Sequence, residues 1–330
     1  MKAWQATALG EPGEVLALAD VPEPVVGPGQ LRVRVLAAAL NFPDALMVRG
    51  QYQVRPEPPF TPGVEVCGEV LEVGPGVDPD RYRFGDRVVG TTAVPAGGLA
   101  EQCLMPAGGA FPAPPSWTDA QASCLTIGYQ TAYVGLVRRA ALQAGETLLV
   151  HAAAGGVGTA AVQVGKALGA RVVGVVGGAA KAEVARAAGA DVVVDRTEGD
   201  LVGALREALG RGGADVVFDP VGGPSFEAST KVVAFEGRIV VVGFTSGTIP
   251  TPPLGHALVK NYSLVGLHWG LYLERNPAVA QDAHARLIEL AAAEAIVPVV
   301  SDQVAFDDAP AALTRVASGR TTGRVVVLGA

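Results

Sequence analysis

The stretch LLVHAAAGGVGTAAVQVGKALGARVVGVVGG, from Leu148 to Gly178, constrains this chain more than any other. A short apolar run gives way to a cluster of Ala and Gly. An amphipathic segment follows, with Val157, Ala161, Val164 and Leu168 recurring at helical spacing before Gly169 stops it. RVVGVV then reads as a second strand. Strand, glycine turn, helix and strand within about 30 residues form a βαβ unit.

The turn reads Ala153-Ala154-Gly155-Gly156-Val157-Gly158, an AxGxxG variant of the dinucleotide fingerprint. Ala153 and Gly155 permit a tight turn whose N–H groups approach a pyrophosphate. Gly158 lets helix and strand pack closely, and the helix N-terminus faces the anion. Ala154, Gly155, Gly156, Val157 and Gly158 are therefore expected to bind a cofactor. NAD-binding sites usually end the second strand with an acid that holds the ribose 2′-hydroxyl. This chain has Gly177 and Gly178, followed by Lys181. Two glycines leave room for a 2′-phosphate and the lysine supplies charge, so the expected cofactor is NADPH. Arg196, just past the third strand, is a candidate second clamp; the alternative for both cations is a solvated surface.

The chain changes rhythm near residue 123. Before it, QLRVRVLAA, GVEVCGEVLEVGPGV, GDRVVG and LAEQCLMP are short strands punctuated by Gly and Pro, as in a small β-barrel or folded sheet. After it, strands and helices alternate: AKAEVARAAG, DVVVD, DLVGALREALG, DVVFDP, PSFEASTKVVA, GRIVVVGF and NYSLVGL. Those strands are continuous apolar runs, as a doubly wound parallel sheet with two covered faces requires. The expected division is residues 1–123 with 266–330 as one domain and residues 124–265 as the nucleotide-binding domain. A helix from Pro277 to Ala295, a strand and a further helix lead to GRVVVLG in the returning tail.

A formal net charge of −7 argues against nucleic-acid binding and a membrane-surface role. The start lacks a basic stretch followed by an apolar run, so no signal peptide is expected. No apolar window of about 18 residues predicts a membrane span. Cys67, Cys103 and Cys124 are far apart without a CxxC, which fits a cytoplasmic protein and excludes a cysteine-rich zinc lobe.

The segments LNFPDALMVRGQY, PFTPGVEVCGEVLEVG, GYQTAY, HAAAGGVGTAAVQ, DPVGG, GRIVVVGFTSG, VGLHWG and TTGRVVVL span the chain. On them it resembles the zinc-independent medium-chain dehydrogenases/reductases, in the quinone oxidoreductase (zeta-crystallin-like) branch. The resemblance implies an α/β fold: a GroES-like β-barrel catalytic domain built from both chain ends, and an inserted Rossmann domain. It also implies a homodimer or homotetramer joined through the nucleotide-binding domains. Zinc-dependent relatives place a Cys near Asn41 and a His at Val64, within Gly63-Val64-Glu65. Their third ligand falls near Ser123, one position from Cys124. Val64 cannot hold a metal, and His151, His256, His268 and His284 are scattered, so no metal site is expected.

Without a metal to polarise it, the acceptor must take hydride readily, as quinones and conjugated enones do. The resemblance places Asn41 and Tyr52 beside the nicotinamide, where either can hydrogen-bond the oxygen that gains charge. The alternative is a turn cap for Asn41 and simple packing for Tyr52. The resemblance places Thr131 near the cofactor as well. Gly243, Phe244 and Thr245 follow one sheet strand, and Leu267, His268 and Trp269 end the next, at the carboxyl edge where ligands bind. FTPG and GLHWG also resemble enoyl-thioester (acryloyl-CoA-type) reductases, with Arg49 and Arg55 as candidate contacts for a large substrate. A third reading is an NADPH-binding sensor or structural protein with weak activity.

Overall fold

The computed structural model describes residues 1–252 and 254–330. The chain divides into two units, Met1–Ile127 with Pro298–Ala330, and Gly128–Val297.

The first unit is built on β1 (Lys2–Ala6), β2 (Leu16–Asp20), β3 (Gln30–Ala39), β4 (Glu65–Val73), β5 (Arg87–Thr91), β6 (Gln102–Pro106) and β7 (Ala110–Pro112). The alternation in QLRVRV sets the inner face. Leu31, Val33 and Val35 are buried, while Arg32 and Arg34 face outward opposite Glu72 and Glu69 of antiparallel β4. These cross-strand ion pairs close at 2.9 and 2.5 Å and hold the register from the solvent side. Leu31, Val33, Phe60, Val70, Leu99 and Met105 fill the core beneath.

In the second unit, β8 (Thr147–Val150), β9 (Arg171–Val176), β10 (Val192–Asp195), β11 (Ala214–Asp219), β12 (Val233–Val241) and β13 (Ser263–Gly266) form one sheet. Its order is β10-β9-β8-β11-β12-β13, and every pairing is parallel. Numbered within the unit this is 3-2-1-4-5-6, the doubly wound order whose ligand crevice opens where β8 and β11 diverge. Leu149, Val173, Val217 and Ile239 are fully buried or nearly so, which is why these strands read as unbroken apolar runs.

After this unit the chain returns to the first, adding β14 (Val300–Val304) and β15 (Arg324–Leu328). β15 lies between β14 and β3, antiparallel to β3 with Val326 opposite Ala39. The return was expected at residue 266, and the structure moves it to Pro298. The intervening helix Pro277–Ala292 buries Ala280, Ala283, Leu287 and Ala291 within the parallel-sheet unit. Gln163 then clasps Val297 twice, accepting its N–H at 2.8 Å and donating to its carbonyl at 2.9 Å. The helix ends three residues earlier than expected, and Glu294 beyond it takes φ 56°.

Candidate active site

In the parallel-sheet unit, the fingerprint turn leaves β8 at His151 and enters the helix Gly156–Ala167 through Gly155. A Cβ on Gly158 would lie 2.0 Å from the Ala152 carbonyl oxygen, so any side chain there forces the turn open. The closest approach is thus within the turn itself, rather than between helix and strand as the motif suggests. No side chain caps this helix. The first N–H groups at Gly156, Val157 and Gly158 consequently offer an anion site at the positive end of the helix dipole. Thr131 is buried on the helix Gln130–Tyr133. Three residues earlier, Gly128 comes within 3.8 Å (measured from its missing Cβ) of the Gly156 carbonyl, so this helix starts close to the turn.

Beyond β9, Gly177 and Gly178 fill the place of the missing acid. The Arg196 side chain folds over Gly177, its Nε and Nη2 each 3.3 Å from where a Cβ would stand. Gly178 adopts φ 99° and opens the helix Ala179–Ala187 that carries Lys181. Asp195 fixes this corner, its Oδ1 accepting from Gly178 N at 2.9 Å, Thr197 N at 2.9 Å and Thr197 Oγ1 at 2.7 Å. Burial and the neighbouring Arg196 both hold the Lys181 ammonium below its ordinary pKa. Two cations that repel one another at the end of the second strand match a 2′-phosphate, which would relieve that repulsion.

At the carboxyl edge, Gly243, Phe244 and Thr245 follow β12, and Leu267 and Trp269 are buried past β13 while His268 is exposed. Sequence analysis gave no role to His151, which is fully buried where the chain leaves β8, two residues before Ala153. Its Nε2 lies 2.7 Å from Ser229 Oγ, and that hydroxyl donates to Ser225 O at 2.9 Å. Nε2 must therefore carry the hydrogen, and burial holds the ring neutral against the opposing pull of Asp219.

In the barrel unit, Asn41 sits in a buried polar network that local sequence does not reveal. Its Nδ2 donates to Ala39 O at 3.0 Å and to Glu65 Oε2 at 3.1 Å. Its Oδ1 accepts from Arg324 Nη1 at 2.8 Å, which fixes the orientation of the amide. Arg324 Nη2 also pairs with Glu65 Oε2, and Glu65 Oε1 accepts from Ile127 N at 2.6 Å. Both Asn41 donors are engaged. The expected role needs one of them for an oxygen that gains charge, so Asn41 would have to exchange a partner to fill it.

Asp44 lies alongside, fully buried. Its Oδ2 accepts from Asn41 N at 2.8 Å, and its Oδ1 from Gly63 N at 3.1 Å and Val64 N at 2.8 Å. Burial pushes its pKa up to about 6, against the pull of those three N–H groups. Tyr52 is half-buried against the same core, and its hydroxyl takes no part in the network. Burial and nearby Asp44 raise its pKa, so it is a protonated donor at neutral pH.

The residues at the zinc positions do not fit the metal. Val64 has no ligand atom, and the Asn41 oxygen is taken by a guanidinium. Cys124 donates to Ala120 O at 3.2 Å, and burial pushes its thiol up to about 11. Among the described residues no group of His, Cys, Asp and Glu could hold a metal ion.

Comparison with known proteins agrees with this two-unit anatomy. Residues 27–115 match the alcohol dehydrogenase GroES-like domain and residues 156–285 the zinc-binding dehydrogenase domain. That combination defines the medium-chain dehydrogenase/reductase class. The chain is 36% identical to the quinone oxidoreductase-like protein 2 homolog of Nematostella vectensis, over 99% of this chain and 89% of that protein. It is 35% identical to quinone oxidoreductase-like protein 2 of Bos taurus, over 98% and 92%. Escherichia coli quinone oxidoreductase, solved with NADPH, superposes with a TM-score of 0.90 at 30% identity, covering 99% of this chain and 100% of that one. A mycobacterial protein also solved with NADPH gives a TM-score of 0.91 at 34% identity, covering 99% and 100%. The chain belongs to the quinone oxidoreductase family of medium-chain dehydrogenases/reductases.

Proposed function

We propose that this protein is an NADPH-dependent reductase that passes hydride to a quinone or related conjugated carbonyl without a metal. The observation that carries the reading is the donor set of the barrel unit. Where zinc relatives gather ligands, this chain has Val64, a saturated Asn41 and the Arg324 guanidinium. An acceptor reduced here must delocalise the arriving charge itself. The NADPH-bound relatives support the cofactor, as does the Lys181–Arg196 corner.

In this reading the bound cofactor supplies the hydride, and the protein binds, orients and excludes water. The helix N-terminus at Gly156–Gly158 holds the pyrophosphate, and Lys181 with Arg196 the 2′-phosphate. Thr131, Gly243–Thr245 and Leu267–Trp269 line the nicotinamide end. Tyr52 donates from its hydroxyl to the acceptor oxygen, while Asn41 orients Arg324. For the enoyl-thioester alternative, Arg49 would have to exchange its ion pair with Glu11, now at 2.7 Å, for the substrate. We also place the protein in the cytoplasm as a homodimer through the nucleotide-binding unit. The free, buried Cys67, Cys103 and Cys124 support the former. For the latter, β13 is an edge strand and Leu254, Leu258 and Val259 before it are exposed.

The test is NADPH oxidation after dialysis against a chelator, with a panel of quinones and short enoyl-CoA esters. Sustained quinone reduction with less than one zinc per chain is expected. Stoichiometric zinc with activity lost on its removal refutes metal independence, and faster turnover of the thioesters selects the other acceptor class.

A further inference from the structure

β11 ends at Asp219, whose side chain is 1% exposed and absent from the roles assigned above. Its Oδ1 accepts from Val221 N at 2.8 Å and from Gly222 N at 3.0 Å, closing the turn that follows the strand. That turn carries the loop after β12. Asp219 O accepts from Val242 N at 2.9 Å, Pro220 O from Thr245 N at 3.1 Å, and Val221 O from Ser246 N at 3.0 Å. Gly222 and Gly223 have φ values of 71° and 50°. A Cβ on Gly222 would meet Phe244 Cδ1 and Thr248 O, each at 2.9 Å, and one on Gly223 would meet Ser246 Oγ at 3.0 Å. The loop thus lies on the turn where side chains are missing. One carboxylate oxygen holds the turn.

We propose that Asp219 is a positioning residue for hydride transfer, acting through the 220–223 turn to set the Gly243–Thr245 loop. This rests on the reading that the loop lines the nicotinamide end. Sub-ångström placement is what such a loop contributes, and a shift near 1 Å can lower a rate by up to about 100-fold. The chemistry of the side chain makes the idea specific. Oδ1 takes both hydrogen bonds, whereas Oδ2 has no hydrogen-bond partner. An amide oxygen can therefore replace the carboxylate, and the negative charge is not required.

The experiment compares Asp219→Ala and Asp219→Asn in the full-length protein, with melting temperature as the folding control. Stopped-flow hydride transfer to a quinone at saturating NADPH is read beside NADPH affinity and amide exchange at Thr245 and Ser246. Asp219→Ala is expected to slow transfer about tenfold, to change the NADPH Kd by less than about threefold, and to speed exchange at both amides. Asp219→Asn should restore all three. Should the alanine variant not fold, Gly222→Ala displaces the loop with Asp219 intact and should give the same slow transfer. Asn as slow as Ala overturns the proposal, since the charge then matters; so does Ala at the wild-type rate. Phe244→Ala tests the underlying reading separately. If it transfers hydride at the wild-type rate with unchanged NADPH affinity, the loop is not at the nicotinamide and the premise falls, whatever Asp219 does.

Discussion

Arg196 over Gly177 gives the sharpest test of cofactor choice. Two unit charges ~4 Å apart near a protein surface attract by ~4 kcal/mol before desolvation and screening. Arg196 is exposed, so most of that is lost to solvent. A charge-assisted hydrogen bond to phosphate leaves about 1.5 kcal/mol. Arg196→Ala should therefore weaken NADPH binding about tenfold and leave NADH within about twofold. Gly177→Asp should go further. Its Cβ would stand 3.3 Å from the guanidinium, so the new carboxylate would capture Arg196 and also repel the 2′-phosphate. The loss for NADPH should then reach about 100-fold, the two effects adding to nearly 3 kcal/mol. Fluorescence titration of both cofactors at about 0.1 M and 1 M salt, across which the Debye length falls from ~10 to ~3 Å, measures it. The NADPH preference should shrink at high salt. Unchanged discrimination in both variants refutes the phosphate assignment.

Tyr52→Phe should lower kcat/KM for the quinone about tenfold, less than the ~100-fold of a donor to a localised oxyanion, with the NADPH Kd unchanged; a wild-type rate removes Tyr52 from the chemistry. Asn41→Ala should act on stability, because it strips partners from buried Arg324 and Glu65, at about 1–3 kcal/mol per group left unsatisfied; calorimetry showing no loss of Tm contradicts the network. Asp44 predicts a pH dependence. Its folded pKa of about 6 lies above the 3.8 of an ordinary aspartate in the unfolded chain, so the stability gained from the buried protonated acid is present below pH 3.8 and lost as pH rises through 6. Relative to Asp44→Asn, the wild type should lose roughly 3 kcal/mol between pH 3.8 and 7; a difference independent of pH in urea titrations rules this out.

Local patterns carried most of the fold. The parallel sheet was legible because its strands carry short continuous apolar runs, such as LLV, VVV and IVVV, alternating with helical segments. The fingerprint and the Gly177-Gly178 corner were legible for the same reason, their meaning lying within a few dozen residues. The return point was not. Ala280, Ala283, Leu287 and Ala291 define a buried stripe without saying which sheet covers it. The saturation of Asn41 was also hidden, since Glu65 is 24 residues away and Arg324 is 283. One signal was available, an arginine opening the otherwise apolar strand GRVVVL. Asp219 offered another, an acid ending a buried strand just before two glycines.

The late return of the chain to the barrel sheet sets an order of assembly during synthesis. The Gly128–Val297 unit is continuous in sequence, so it can fold as soon as it leaves the ribosome. β3 and β4 emerge first, yet the network behind them stays incomplete until Arg324 arrives with β15. Until then Glu65 is a carboxylate without its cation, in a sheet that still has an open edge beside β3. A nascent chain halted before residue 298 would therefore have its parallel-sheet unit complete while the barrel sheet still lacked β14, β15 and the cation of its buried network. Such a fragment would be a natural substrate for chaperones, and the last two strands are the step that releases it.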